Sequence, residues 1–192
     1  MASFSRLIVI AGSLGGFQAL RHVLSSLAPN FPAATAAVLH THESSPGYLA
    51  GLLGHHTPLK VSYAAEGDRP APGQVHIAPP KAHLIVRESG LFGLDHGPKV
   101  HFTRPAADCL FISAARTFGV NVIGVVLTGG GIDGTEGLKE IKRCGGLSIV
   151  QSPSDAQAPS MPTHAIMHDG PDHVMTMERL GPLLTKLVDS RR

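Results

Sequence analysis

The chain has 192 residues, 43% hydrophobic and 16% charged, with 22 glycines and 15 prolines. That is enough apolar sequence for one domain with a real core, and it excludes disordered and fibrous chains. A formal net charge of +2, carried by scattered Lys and Arg, excludes nucleic acid or a membrane surface as the main partner.

The elements follow from apolar periodicity. In Arg6 to Leu20, RLIVIAGSLGGFQAL, Leu7 to Ala11 predicts a buried strand, Gly12, Gly15 and Gly16 a tight turn around Ser13, and Phe17 to Leu27 an amphipathic helix. Pro29 to Pro32 is a loop, Ala34 to Leu39 a second buried strand ending at His40, and Tyr48 to Leu53 a short helix. Leu59 to Ala64 and Gln74 to Ala78 read as strands around the EGDRPAPG turn, and His83 to Arg87 with Leu91 to Leu94 as a hairpin split by Ser89-Gly90. The whole stretch from about 58 to 100 reads as an antiparallel excursion from the main sheet.

After Arg104-Pro105, apolar residues at Leu110, Phe111, Ala114, Ala115 and Phe118 predict a helix ending at Gly119. Asn121 to Leu127 is the most apolar strand, followed by TGGGIDG, a helix from Thr135 to Cys144, and a strand from Leu147 to Gln151. The long loop SPSDAQAPSMP leads to a short helix at Thr163 to Met167, a last strand near Val174 and a closing helix from Glu178 to Val188. Strands alternating with helices imply an α/β fold: a doubly wound, mostly parallel sheet with helices on both faces, in a single domain over 1–192.

Cys109 and Cys144, without C-x-x-C spacing, read as free thiols in a reducing cytoplasm. The apolar run before Ser13 is short for a signal peptide, and nothing approaches the roughly 20 apolar residues that span a bilayer. The expectation is a cytoplasmic protein with no membrane insertion.

Three residues fall at carboxyl ends of strands, where open parallel sheets build their sites: Ser13, His40 and Asp133. A hydroxyl needs a base to become a nucleophile near neutral pH, and a carboxylate on the base's other nitrogen fixes its tautomer. Each residue also has a plain structural role available: a phosphate-binding or structural turn for Ser13, a backbone-bonded strand end for His40, and the N-cap of the Thr135 helix for Asp133. The first turn does not quite meet G-x-S-x-G, since Ala11 stands where its first glycine would be.

The stretches VIAGSLGG, VLH, PGQVHIAPPKAHL, RPAADCLFISAA, GVVLTGGGIDGTEGL, GGLSIVQ and SMPTHAI, in this order over about residues 6 to 176, resemble the catalytic domain of the CheB-type chemotaxis protein-glutamate methylesterases. The resemblance implies a parallel α/β fold and hydrolysis of glutamate methyl esters on chemoreceptors through an acyl-enzyme. It implies Ser13 as nucleophile, His40 as base and Asp133 as orienting acid, and deamidation of glutamine by the same intermediate. The backbone N–H groups near Leu14 and Gly130 are the implied oxyanion donors. No cofactor and no metal are implied.

The expected partner is a methylated chemoreceptor or another methylated signalling protein. The family usually carries an N-terminal phosphoacceptor domain, and this chain begins at the first catalytic strand; the expectation is a stand-alone paralogue, a module under a regulatory partner in trans, or a fragment of a longer chain. Three departures stand out: Leu14 replaces the family's threonine, His40-Thr41-His42-Glu43 replaces His-Met-Pro, and Thr128-Gly129-Gly130-Gly131 replaces Thr-Gly-Met-Gly.

Three alternatives compete with this reading. Gly129, Gly131 and Gly134 satisfy G-x-G-x-x-G, with Asp155 placed as a ribose-binding acid, which suits a nucleotide-binding protein. His40, His42, His55 and His56 invite a metal-hydrolase reading but form no recognised ligand set. The third is a degenerate methylesterase domain kept as a binding module. The other histidines, His83, His101, His164, His168 and His173 among them, read as scaffold or surface.

Overall fold

The computed structural model describes residues 6–40 and 47–189. In chain order it runs β1 (Leu7–Gly12), α1 (Gly16–Ser25), β2 (Ala34–Leu39), α2 (Leu49–Gly54), β3 (Lys60–Tyr63), β4 (Gln74–Ile77), β5 (His83–Val86) and β6 (Phe92–Asp95). It continues with α3 (Ala107–Phe118), β7 (Val122–Val126), α4 (Thr135–Arg143), β8 (Leu147–Gln151), α5 (Ser160–Asp169), β9 (His173–Met175) and α6 (Met177–Asp189). Seven strands form one sheet in the order β3-β4-β2-β1-β7-β8-β9, with every pairing parallel.

Alternation along β1 builds two cores from one strand. Leu7, Val9 and Ala11 face the layer made by α3, α4, α5 and the β5–β6 hairpin, while Ile8 and Ile10 face the layer of α1, α2 and α6. Both sides of the strand are sealed, so it reads as an uninterrupted apolar run, as parallel strands covered on both faces do. Each large side chain buried this way is worth about 1.5–3 kcal/mol. The consequence for function is rigidity at the strand ends.

The chain steps from β1 to β2 in one direction along the sheet and later returns to place β7 on the other side of β1. The loop after β1 therefore leads to a helix on one face and the loop after β7 to a helix on the other, which opens a crevice at their carboxyl ends. That crevice is where Ser13, His40 and the segment 128–134 meet.

The middle of the chain departs from expectation. Among the strands of the described residues, β5 and β6 alone pair antiparallel; β3 and β4 lie parallel in the main sheet, with Ala37 opposite Ile77. Val75 and Ile77 are fully buried, and a place beside β2 is what buries them. The connecting segment 64–73 reaches about 30 Å when extended, more than twice the roughly 13 Å of a four-residue strand, so no hairpin is forced.

The helix expected at Thr163 begins earlier, at Ser160, within the expected loop. Pro162 falls in its first turn, where the missing N–H has no helical partner to lose.

Candidate active site

Backbone hydrogen bonds fasten the rim before any side chain acts. The His40 N–H donates to the Gly12 carbonyl at 3.0 Å, and the Ser13 N–H donates to the Thr128 carbonyl at 3.0 Å. Thus the residue after β2 and the turn after β7 are both tied to the turn after β1. Gly15 caps α1 in the left-handed conformation, φ 79°, and the Gly16 N–H closes the turn on the Ser13 carbonyl at 2.8 Å.

Thr128, a residue that sequence reasoning left without a role, locks the two turns together. Its hydroxyl donates toward the Leu14 carbonyl at 3.0 Å, with the Ala158 carbonyl at 3.3 Å, and accepts from the Ala158 N–H at 2.8 Å. The Thr128 N–H is held in turn by the Gln151 side chain at 2.8 Å. Gly129 then passes so close to Ser13 that an added Cβ would lie 2.9 Å from the serine Cβ and 3.1 Å from its nitrogen, and would also strike the Met161 sulfur. Glycine at 129 is a packing requirement of the serine turn.

The imidazole of His40 donates from Nε2 to Asp133 Oδ2 at 2.7 Å, with the histidine side chain 12% and the aspartate 3% exposed. Because a carboxylate only accepts, the neutral ring carries its proton on Nε2 and its lone pair on Nδ1.

Asp133 is not the N-cap of the Thr135 helix, which is capped by Gly134 at φ 93°. It caps α3 instead: Oδ2 accepts from the Ala107 N–H at 2.6 Å and Oδ1 from the Asp108 N–H at 3.0 Å. These are unpaired donors at a helix N-terminus, which favours a negative charge there. The pairing has no local sequence signal, since Asp133 and α3 come together only when α3 and α4 pack side by side.

Burial works against the charge on Asp133, but the His40 hydrogen bond and the two helix N–H groups outweigh it and hold the carboxyl below its ordinary value. Its neighbour Asp108 is the counterpart. Burial and the charge on Asp133 push Asp108 up to about 6, opposed by the Gly137 N–H and by His101. Asp108 Oδ1 accepts from Gly137 N–H at 2.7 Å, and Oδ2 meets His101 Nε2 at 3.0 Å. Neither Asp108 nor His101 was singled out from the sequence. The available signal was a carboxylate on the otherwise apolar face of α3 formed by Ala107, Leu110, Phe111, Ala114 and Ala115.

The remaining candidates are placed as follows. Leu14 projects outward, 61% exposed, and open space lies where a side chain at Gly130 would be. His42 and the rest of the altered loop lie outside the described residues. His55 and His56 sit exposed after α2. Asp155 is engaged at the start of α6, accepting from the Met177 N–H at 2.6 Å and facing the Gln151 amide at 3.2 Å. With Gly129 packed on Ser13, that leaves the nucleotide reading without its acid or its open glycine turn. His83 is scaffold, buried between the Ala106 N–H and the Pro98 carbonyl, each at 3.0 Å. Cys109 and Cys144 are free thiols, and burial pushes Cys109 up to about 11.

The switch point of this doubly wound parallel sheet thus carries a serine turn and a histidine–carboxylate pair. The model of the CheB methylesterase family matches residues 8–184, and the chain belongs to that family. Protein-glutamate methylesterase FrzG of Myxococcus xanthus is 40% identical over 183 residues, 95% of this chain and 55% of that protein. A relative from Leptospira interrogans is 36% identical over 180 residues, 94% of this chain and 93% of its own length. The Bdellovibrio bacteriovorus protein-glutamate methylesterase/protein-glutamine glutaminase is 37% identical over 189 residues and is covered over 53% of its length. The chain therefore spans about half of two of these relatives and nearly all of the third. The crystal structure of the Thermotoga maritima CheB methylesterase catalytic domain superposes with a TM-score of 0.92 at 33% identity, covering 96% of this chain and 99% of that one.

Proposed function

We propose that this domain hydrolyses methyl esters of glutamate side chains in a protein substrate, with Ser13 as nucleophile, His40 as general base and Asp133 as the acid that orients it. The single observation that carries this reading is the 2.7 Å bond from His40 Nε2 to Asp133 at the rim where Ser13 also stands. The bond to Nε2 leaves the Nδ1 lone pair as the proton acceptor.

The Ser13 hydroxyl attacks the ester carbonyl as His40 Nδ1 takes its proton. The tetrahedral intermediate then collapses, His40 returns that proton to the methoxy group, and methanol leaves an acyl-Ser13. Water, deprotonated by the same nitrogen, releases the glutamate carboxylate. The charged Asp133 keeps Nε2 protonated and stabilises the transient imidazolium.

The two turns after β1 and β7 supply the candidate oxyanion donors. The N–H groups of Ser13, Gly16 and Gly129 are engaged with the carbonyls of Thr128, Ser13 and Ala158. Those of Leu14 and Gly130 are the neighbouring donors on the two turns, and the space over Gly130 suits a substrate carbonyl. A glutamine amide fits the same sequence of steps with ammonia as the leaving group.

The protein substrate we infer is a methylated chemoreceptor or a similar methylated signalling protein, met in the cytoplasm. Among the described residues, no helix is long and apolar enough to cross a membrane. Methanol release from a peptide bearing a glutamate methyl ester tests the reaction. Because an imidazolium cannot accept a proton, the rate is expected to fall as pH drops from about 8 to about 5. A rate that stays flat across that range contradicts the base assigned to His40.

A further inference from the structure

Behind the His40–Asp133 pair stands a second histidine–aspartate pair that the mechanism above does not use. Val100 and Thr103 close a tight turn, with N–H to carbonyl bonds of 3.1 and 2.9 Å in the two directions, and a further bond from the Thr103 hydroxyl to the Val100 carbonyl at 2.9 Å. Its two central residues, His101 and Phe102, are held at φ 48° and 64°. Consecutive left-handed residues with side chains are strained and persist only where surrounding structure enforces them; such strain gathers at functional sites. Here the turn lays the His101 ring on Asp108 at 3.0 Å. Asp108 in turn supplies a backbone N–H to Asp133 and is itself anchored on Gly137 of α4. One polar atom from each of His101, Asp108 and Asp133 lies within 4.8 Å of the other two.

We propose that His101 is a positioning residue for ester hydrolysis: acting through Asp108, it sets the charge that stands behind Asp133 and thereby how readily His40 accepts a proton. The inference rests on the function proposed above for Ser13, His40 and Asp133. Two buried carboxylates this close cannot both ionise freely, and a histidine on the outer one decides how easily it does. The push of Asp108 up to about 6 places that decision just below neutral pH.

When Asp108 is anionic, two negative charges lie behind the His40 ring; when it is protonated, one does. The other groups facing this chain do not replace His101. The Cys109 thiol on α3 is pushed up to about 11 and stays neutral. From α5, His164 faces His101 while held by the Thr135 hydroxyl at 3.0 Å, and its own titratable and charged neighbours are His168, Lys139 and Glu136. His101 is itself one-third exposed, so the outer end of the buried pair borders solvent.

The sign follows. Replacing His101 removes a donor that favours the ionised form of Asp108, so Asp108 keeps its proton to higher pH and less negative charge faces His40. Asp108→Asn removes that charge at every pH. Both changes make His40 titrate at lower pH.

The test follows the His40 ring by NMR titration in a Ser13→Ala background, so that a failure of the serine mechanism cannot be mistaken for a failure of this coupling. His101→Asn is chosen because asparagine tolerates the left-handed backbone. The expected result is a downward shift of the His40 titration by about half a pH unit in His101→Asn and in Asp108→Asn, with no further shift when the two are combined. In the Ser13 enzyme the acid limb of methanol release moves with it, so that the rate at pH 6 relative to pH 8 rises roughly threefold. An unmoved His40 titration in His101→Asn or in Asp108→Asn, or equal shifts from His101→Asn with and without Asp108, overturns the proposal. Should a variant not fold, the Ser13→Ala chain otherwise unaltered still decides: the Asp108 carboxyl carbon and the His40 ring must show a common inflection, and independent titrations overturn it.

Discussion

Ser13→Ala is expected to lower methyl-ester hydrolysis by on the order of 10⁴-fold or more while leaving the fold intact. The serine side chain is deleted at a turn whose backbone bonds, to Thr128 and Gly16, do not use the hydroxyl, so the stability change should stay within about 0.5 kcal/mol. The loss is large because the hydroxyl forms the covalent intermediate, and the remaining residues then act without their nucleophile. A residual rate above the uncatalysed one is expected, since backbone donors near Leu14 and Gly130 would still polarise the carbonyl. The check is methanol release under saturating methyl-ester peptide, with circular dichroism to verify folding. Equal rates for the two proteins would remove Ser13 from the mechanism and leave a domain that binds without catalysing.

The second large effect concerns Asp133, where activity and stability are predicted to separate. Asp133→Asn keeps the shape of the side chain but not its charge, and its amide can turn the His40 ring to the wrong tautomer; turnover is expected to drop by roughly 10⁴-fold. Asp133→Ala, in contrast, also strips the cap from α3, leaving the Ala107 and Asp108 N–H groups buried without acceptors. That is expected to cost about 2–4 kcal/mol of stability, read as a lower midpoint in urea unfolding. The sign with pH is fixed by the depressed carboxyl: its stabilisation is present above the unfolded value, about 3.9, and is lost as pH falls through the lower folded value. The stability gap between wild type and Asp133→Ala should therefore narrow in strong acid and be full at neutral pH. A gap that is the same at pH 2 and pH 7 would show that the charge is not what holds α3.

What could be read from the sequence, and what could not, divides along the range of the interactions. Ser13 and His40 are legible because β1 and β2 are largely apolar runs followed by a polar residue, and adjacent parallel strands bring their ends together. The β5–β6 hairpin is legible from its Ser89-Gly90 turn. The parallel seating of β3 and β4 is not, because short strands in a Pro- and Gly-rich segment carry no mark of direction.

Asp133 shows both sides of this. Its residue type and its place after β7 point to the site, yet the capping role that the local pattern offers it is on the neighbouring helix, whereas it serves one that begins 26 residues earlier. Thr128 and the His101–Asp108 pair have even less sequence signature. Their roles arise from contacts between turns, such as Thr128 with Ala158 30 residues on, and from a backbone conformation at His101 that no residue-type preference suggests.

The central claim is that Ser13 becomes the covalent nucleophile because His40, held by Asp133, takes its proton. Reaction with a methyl alkylphosphonofluoridate, a tetrahedral mimic of the acyl-transfer intermediate, followed by digestion and mass spectrometry, tests this most directly. A single phosphonyl adduct on Ser13, formed far more slowly in His40→Ala, is the predicted result. An adduct on another residue, none at all, or labelling of Ser13 at an undiminished rate in His40→Ala would contradict it.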